Sequence, residues 1–320
     1  MAHRSLVTGG AGFIGSHVAD ALVKRGDRVC VLDDFSTGLL SNLNDVRRDI
    51  EIVRATICDR GTIRKAMKKV DYVFHLAANR AVVRSVEDPC DTNDVNVTGT
   101  LNVLVAARDA GVRRVIFSSS AAVYGDAKKF PSSEKDPLIP ASPYAVSKLV
   151  GEHYCQLFTK LYGLETVSLR YFNIFGPRQN PESKYSMVIP MFIYSLVSNK
   201  RPEVHWDGRQ SRDFIYVDDV VHGNLLARSV GRASGEIFNI GSGEECSVLN
   251  LLAGLKKILK KPSITPRFAP KREGDVRRTF ADIIKAKRIL GFKVQIRFHE
   301  GLEKTVDWFL ASGTLRKVVL

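Results

Sequence analysis

The fold class predicted from the sequence is α/β: a doubly wound parallel sheet carrying a smaller α/β domain. Three observations predict it. Short β-rich runs alternate with helical patterns through the first half of the chain, which is the rhythm of parallel strands joined by crossover helices. A glycine-rich turn, Gly9-Gly10-Ala11-Gly12-Phe13-Ile14-Gly15, separates the first such run from the first helical pattern. An acid, Asp33, ends the second run.

Taken in order, Arg4-Ser-Leu-Val-Thr8 reads as a strand and Phe13 to Arg25 as an amphipathic helix ending before Gly26. The glycines between them, Gly9 and the pattern Gly10-x-Gly12-x-x-Gly15, permit a tight turn and a close approach of backbone to a pyrophosphate, whose charge the helix N-terminus favours. Asp27-Arg-Val-Cys-Val-Leu32 is the second strand, and Asp33 lies 18 residues past Gly15. An acid at that place binds both ribose hydroxyls of NAD and repels the 2'-phosphate of NADP. A glycine loop used only for packing has no need of strand, helix and acid together. The domain is thus of Rossmann type, with NAD as its cofactor.

Further on, Val70-Asp-Tyr-Val-Phe-His-Leu76 reads as a strand, Asn93 to Ala110 as one long helix, Arg114-Val-Ile-Phe-Ser118 as a strand, Tyr144 to Tyr162 as a second long helix and Glu165-Thr-Val-Ser-Leu-Arg170 as a strand. Gly176-Pro177 through Lys184 reads as a loop leaving the sheet, and Asp213-Phe-Ile-Tyr-Val217 as one more short strand. The expected division is residues 1–175 for the nucleotide domain and 176–320 for a substrate domain, with the segment near 213–241 returning to the first. Ligands of such sheets bind beyond the carboxyl ends of the strands. Ser118, Ser119 and Ser120 follow a strand, so their hydroxyls are expected at the cleft.

Ser142 suits a helix N-cap and Pro143 the first helical position, so Tyr144 and Lys148 fall on one face of the helix that follows. A lysine ammonium near a phenol favours the phenolate and lowers a pKa of about 10. The pair is a general base for neutral pH. Tyrosine and lysine at this spacing also occur on ordinary solvated faces; the glycine turn and Ser120 give the pair its redox reading.

Composition narrows the field. With 44% hydrophobic and 26% charged residues over 320 positions, the chain has ordinary globular composition and length for a full core. The first strand begins close to Met1, which predicts no leader, and no run approaches the roughly 18 apolar residues of a membrane span. Cys30, Cys58, Cys90, Cys155 and Cys246 form an odd set without CxxC spacing, which suits reduced thiols and a cytoplasmic location. The seven histidines show no metal-ligand spacing, so no metal site is expected. The net charge of +14 is concentrated from Glu245 onward, where 17 Lys or Arg stand against 7 Asp or Glu. Those cations alternate with apolar residues at helical spacing, with few aromatic residues among them. A solvated helix face is the reading favoured over nucleic-acid binding.

The chain resembles the extended short-chain dehydrogenase/reductases, and within them the NAD-dependent sugar-nucleotide 4-epimerases. The likeness rests on Thr8-Gly-Gly-Ala-Gly-Phe-Ile-Gly15, His75-Leu-Ala-Ala78, Asn96-Val-Thr-Gly-Thr100, Ser118-Ser-Ser-Ala-Ala-Val-Tyr-Gly125, Tyr144 to Lys148, Arg170-Tyr-Phe-Asn-Ile-Phe-Gly-Pro-Arg178 and Arg212-Asp-Phe-Ile-Tyr-Val-Asp-Asp219. It implies that Tyr144 takes the proton of the sugar 4-hydroxyl while hydride passes to nicotinamide, that Lys148 holds the nicotinamide ribose and depresses the tyrosine, and that Ser120 shares the proton path. The 4-keto sugar then turns over and is reduced on its other face. By the same likeness the cofactor is held by Gly9, Gly12, Phe13, Ile14, Gly15, Asp33, Asp34, Ser36, Thr37, Gly38, Thr56, Ile57, Leu76, Ala77, Ala78, Arg80, Asn96, Ser118, Tyr144, Lys148 and Tyr171. The substrate meets Ser120, Tyr144, Asn173, Val188, His205, Arg212, Arg272, Asp275 and Thr279. Arg212 and Arg272 correspond to phosphate-binding arginines, whose guanidinium groups take phosphate oxygens bidentately; the bland alternative makes Arg212 an ion-pair partner of Asp213. His75 reads as lining of the cleft.

The resemblance also separates reactions. Ala121-Ala122 stand where 4,6-dehydratases carry an Asp-Glu pair and where UDP-glucuronate decarboxylases carry a glutamate at the second place, so neither reaction is favoured. The chain keeps the Arg-Tyr-Phe-Asn-x-Phe-Gly-Pro-Arg form from which UDP-glucuronate 4-epimerases tend to depart. Thr279 replaces a bulky tyrosine of relatives restricted to non-acetylated sugars, and Asn180-Pro-Glu-Ser-Lys-Tyr-Ser-Met-Val-Ile-Pro190 resembles the epimerases of N-acetylated UDP-sugars. Thr56 in place of an adenine-binding aspartate, His205-Trp206 in place of an aromatic-glycine pair and Glu273 in place of a proline are departures. The expected activity is the 4-epimerisation of UDP-Glc/UDP-Gal and of UDP-GlcNAc/UDP-GalNAc, by a homodimer whose two long helices pair across a two-fold axis. Its rivals are another sugar-nucleotide epimerase or reductase with the same three residues, and a non-catalytic NAD-binding regulator, against which the intact base argues.

Overall fold

A computed structural model describes residues 2–179, 188–271 and 276–314. The first part runs β1 (Arg4–Thr8), α1 (Phe13–Lys24), β2 (Arg28–Asp33), β3 (Ile50–Arg54), α2 (Arg60–Ala66), β4 (Tyr72–His75), α3 (Val82–Glu87), α4 (Pro89–Asn93), a π-helical segment (Asp94–Gly99), α5 (Thr100–Asp109), β5 (Arg114–Ser120), α6 (Pro143–Tyr162) and β6 (Glu165–Tyr171). It continues through β7 (Asn173–Phe175), α7 (Val188–Val197), β8 (Glu203–His205), β9 (Ser211–Arg212), β10 (Phe214–Tyr216), α8 (Val217–Ser229), β11 (Ile237–Ile240), β12 (Cys246–Ser247), α9 (Val248–Ile258), β13 (Arg267–Ala269), β14 (Arg278–Thr279), α10 (Ile284–Leu290) and α11 (Phe298–Ser312).

Seven parallel strands form the main sheet in the order β11-β6-β5-β4-β1-β2-β3. Successive residues of a strand serve opposite faces, and both faces are apolar: Leu6, Cys30, Val115 and Phe117 pack under α2, α5 and α6, while Val7, Val31, Ile116 and Phe238 pack with α1 and α8. Burial on both faces is why these strands read as continuous apolar runs. Chain order reverses between β1 and β4, so the crevice expected of such a sheet opens at their carboxyl ends. The glycine turn sits there. β11, the seventh strand, pairs Ile237–Ile240 with Ser168–Tyr171. Smaller pairings, β9 with β12 and β14, β8 with β13, and β7 with β10, lie beyond the main sheet.

The long helix α6 begins as its sequence dictates, with the Ser142 hydroxyl accepting from Ala145 N, Pro143 in the first turn, and Gly163 closing the helix at φ 71°. The helix expected over 93–110 is interrupted instead. Asp94–Gly99 widens into a π turn, and Gly99 packs it closely on Ile57, where a Cβ would come within 2.7 Å of that side chain. Val217 begins α8 rather than ending a strand; the carboxylate of Asp219 in its first turn accepts from Gln295 N and Ile296 N.

No described helix is long and apolar enough to cross a membrane. Several C-terminal cations are paired with acids, Arg277 with Asp207, Arg278 with Glu245 and Lys285 with Glu236, which accounts for part of the basic face as solvated ion pairs.

Candidate active site

The crevice at the ends of β1, β2 and β4 is lined by Gly9, Gly12, Phe13, Ile14, Gly15, Asp33, Asp34, Ser36, Thr37, Gly38, Thr56, Ile57, Leu76, Ala77, Ala78 and Arg80. Two glycines are dictated by space. Gly9 has φ +68°, and a Cβ there would meet Ala77 N at 2.7 Å; a Cβ on Gly15 would meet the Gly9 carbonyl oxygen at 2.1 Å. The N-terminus of α1 has no side-chain cap and no acid in its first turn, which leaves its amides and the positive end of its dipole for an anion. Asp33 is buried and accepts from Ala11 N and Phe35 N through different oxygens, so each oxygen retains a lone pair for a hydroxyl. Burial raises its carboxyl above the ordinary value and the two amides oppose this. A glycine cradle, an uncapped helix end and a fixed acid fit a dinucleotide with free ribose hydroxyls.

Beside this crevice, β5 and α6 bring Ser120, Tyr144 and Lys148 together. Ser120 Oγ accepts from Ala122 N at 3.1 Å and stands beside the phenol of Tyr144, where it favours the ionised form. Removal from water raises the Tyr144 pKa above its ordinary value, while the neighbouring Ser120 hydroxyl and the positive charge of Arg80 lower it. Lys148 is buried, its Nζ donating to the Ser118 carbonyl at 2.7 Å and lying 5.9 Å from the centre of the Tyr144 ring. Burial pushes its pKa down to about 8, opposed by Cys155 and Glu152.

On the substrate side, Asn173 Nδ2 donates to Thr279 Oγ1 at 3.1 Å, and Thr279 stands in register with Arg212 between β14 and β9. Three expected substrate residues thus converge. Asp213 is not left to Arg212 as a surface partner; it is buried, and its carboxylate accepts from Ser242 N and Oγ, Gly243 N and Ala281 N. Arg212 Nη1 donates to the Ser211 carbonyl. Val188 opens α7, half-buried against the core. His205 pairs with Ala269 across β8 and β13, its Nδ1 donating to the Pro270 carbonyl at 3.0 Å and its Nε2 lying 3.0 Å from Glu203. Trp206 takes φ 61°, the region that favours glycine, with Lys271 and Arg277 over its ring. Arg272, Glu273 and Asp275, and residues 180–187 of the Asn180–Pro190 stretch, lie outside the described residues.

Three residues lie off the crevice surface. Asn96 is buried behind the crevice wall, gripping the main chain of Asn79 through both amide atoms and donating to Ser147 Oγ. Tyr171 points into the core, its hydroxyl donating to Asn224 Oδ1 at 2.9 Å. His75 is buried rather than lining the cleft. Thr100 Oγ1 donates to the Asn96 carbonyl, so it accepts from His75 Nε2–H at 2.9 Å, and His75 Nδ1 accepts from Thr8 Oγ1 at 2.7 Å. Burial and the charge of Lys148 push this imidazole down to about 3, so it is neutral. Arg178, Asn42, Leu39 and Asn79 also line the crevice and were not singled out. Arg178 reaches it from a loop held by ion pairs to Asp20 and Asp45, partners that its motif does not signal. Among the described residues no cluster suited to a metal is found.

Residues 5–241 match the model of the NAD dependent epimerase/dehydratase family. A putative UDP-glucose 4-epimerase of Methanocaldococcus jannaschii is 42% identical over 95% of this chain and 97% of its own. The structure of a UDP-glucose 4-epimerase with UDP-glucose from Thermotoga maritima superposes with a TM-score of 0.92 at 38% identity, covering 97% of this chain and 99% of that one. A UDP-N-acetylglucosamine 4-epimerase from Methanobrevibacter ruminantium, in complex with UDP-N-acetylmuramic acid, gives 0.93 at 37% identity over 98% of this chain and 100% of that one. The glycine-lined crevice, the fixed Asp33 and these likenesses along nearly the whole chain make it a member of the NAD-dependent epimerase/dehydratase family, within the extended short-chain dehydrogenase/reductases.

Proposed function

We propose that this chain is a 4-epimerase of UDP-hexoses, acting on UDP-Glc/UDP-Gal and on UDP-GlcNAc/UDP-GalNAc. The observation that carries the reading is the meeting of Ser120 and Tyr144 beside the NAD crevice with Lys148 one turn on, followed by Ala121 and Ala122 instead of acids. Tyr144 receives the proton of the sugar 4-hydroxyl and later returns it. Ser120, beside the phenol, stabilises the phenolate and holds the same sugar oxygen. Lys148, fixed to the Ser118 carbonyl, supplies the cationic field that favours proton loss. Bound NAD supplies the hydride chemistry at the sugar carbon, with no net redox change. Elimination of water or loss of carbon dioxide from the sugar needs an acid or base near the serines, and alanine offers neither.

The sugar-size reading rests on Thr279. Its side chain is short and its hydroxyl is bonded to Asn173, so the space a tyrosine would fill is left for an N-acetyl group. Arg212, with Arg272 and Asp275, would hold the diphosphate and ribose, and His205 would face the base; residues 176–320, apart from the stretch that returns to the sheet, would form the substrate domain. A second copy of the chain is proposed to cover the exposed apolar positions Val146, Leu157, Leu161 and Tyr162 on α6 and Val83 and Val86 on α3. Conversion of UDP-galactose and UDP-GalNAc by the purified protein tests the activity, and the mass of Leu157→Asp/Leu161→Asp in solution tests the dimer: a wild-type monomer is the result that rejects it.

A further inference from the structure

Tyr144, Lys148 and Glu152 follow at helical spacing on one face of α6, and each meets one of the three serines that end β5. Tyr144 lies beside Ser120, and Lys148 takes the carbonyl of Ser118. Glu152 takes Ser119, whose Oγ donates to Oε1 at 2.5 Å. Glu152 and Arg170 are each 1% exposed, and the guanidinium holds the carboxylate bidentately, Nε to Oε1 at 2.8 Å and Nη2 to Oε2 at 2.7 Å. Arg170 Nη1 donates to the Tyr124 hydroxyl at 2.9 Å, and that hydroxyl donates to Asn239 Oδ1 at 2.7 Å. A continuous set of bonds thus runs from β11 through β6 to α6 and ends on the peptide neighbour of Ser120.

A buried ion pair is weak as a source of stability, because packed apolar residues often do as well. This carboxylate has a further partner in Ser119. Ser119 and Ser120 point to opposite sides of β5, so fixing one side chain sets the rotation of the strand end that presents the other. We propose that the Glu152–Arg170 pair is a positioning device: through Ser119 it holds Ser120 in register with the phenol of Tyr144. This rests on the reading of Ser120, Tyr144 and Lys148 as the reacting set. The ionisable groups facing them are Glu152 and Cys155 from α6, His75 from β4 and Arg80 from the loop that follows β4.

Glu152→Gln alone leaves Arg170 buried without its countercharge and risks unfolding. The informative variants are Ser119→Ala, which cuts only the link, and Glu152→Met/Arg170→Met, which removes both charges together. Each is compared with the parent for NAD content, thermal unfolding, kcat and KM on UDP-galactose, and the alkaline ultraviolet transition of Tyr144, taken as the difference from its own Tyr144→Phe counterpart. Both variants are expected to retain NAD, to lose about tenfold or more in kcat with little change in KM, and to show the Tyr144 transition at higher pH, since a loosened Ser120 no longer favours the phenolate. Unchanged kcat and an unmoved transition in Ser119→Ala overturn the proposal, whatever happens to the unfolding temperature. A parent inactive on UDP-galactose strikes the catalytic reading instead, and the transition still decides the positioning.

Discussion

Lys148 donates its ammonium to the main-chain carbonyl of Ser118, not to the phenol one turn before it on the same helix. The cation is thereby locked to the strand that carries Ser120, and its influence on Tyr144 is that of a fixed field. The neighbouring group that most lowers the phenol's pKa is the hydroxyl of Ser120.

Replacing Tyr144 with phenylalanine removes the proton acceptor while keeping the ring. The expected result is a fall in kcat of about 10²–10⁴ with NAD still bound, read from turnover and from the nucleotide released on denaturation. Full turnover by this variant would exclude Tyr144 as the base.

Lys148 also predicts a pH dependence of stability. Its folded pKa of about 8 lies below the 10.5 of an exposed lysine, so between those values the unfolded chain binds the extra proton. The cost of burying the cation is present in full below pH 8 and is relieved as pH rises towards 10.5, by on the order of 3 kcal/mol. Urea unfolding of NAD-free protein across that window should show this rise relative to Lys148→Met. Parallel curves for the two proteins would contradict it. In the same window the cationic field is lost, so kcat should decline above about pH 8 in a Lys148-dependent manner.

At Gly15 any side chain meets the carbonyl oxygen of Gly9, 2.1 Å from the Cβ position. Gly15→Ala should lose about 1–3 kcal/mol of stability and release NAD, measured by thermal unfolding and by nucleotide content after purification. Normal NAD retention in this variant would show that the turn relaxes without affecting the crevice.

Thr279→Tyr should discriminate between sugars. Loss of the bond to Asn173 affects both substrate pairs, but the added ring should lower kcat/KM for UDP-GalNAc relative to UDP-galactose by tenfold or more, about 1.4 kcal/mol. Equal losses on the two would remove Thr279 from the specificity reading.

What was legible in the sequence was what lies close together in it. The glycine turn, Asp33, the Ser142 cap and the Tyr144–Lys148 face each require only a few neighbouring residues, and the structure has them as the spacing dictates. The π turn at Asp94–Gly99 was not legible, because the contact it makes, Gly99 against Ile57, joins separate elements. The same holds for Glu152 with Arg170, Asn173 with Thr279 and Arg178 with Asp20. Asn96 and Tyr171 sit in motifs legible in the sequence, but only the structure shows that one side chain turns to Asn79 and the other to Asn224.

The most direct test of the account is to incubate the purified protein, without added NAD, with UDP-galactose, UDP-GalNAc and UDP-glucuronate, following sugar interconversion and absorbance of NADH together. The account predicts 4-epimerisation of the first two with no net NADH. Net NADH formation, or inactivity on both in protein that carries NAD, would contradict it.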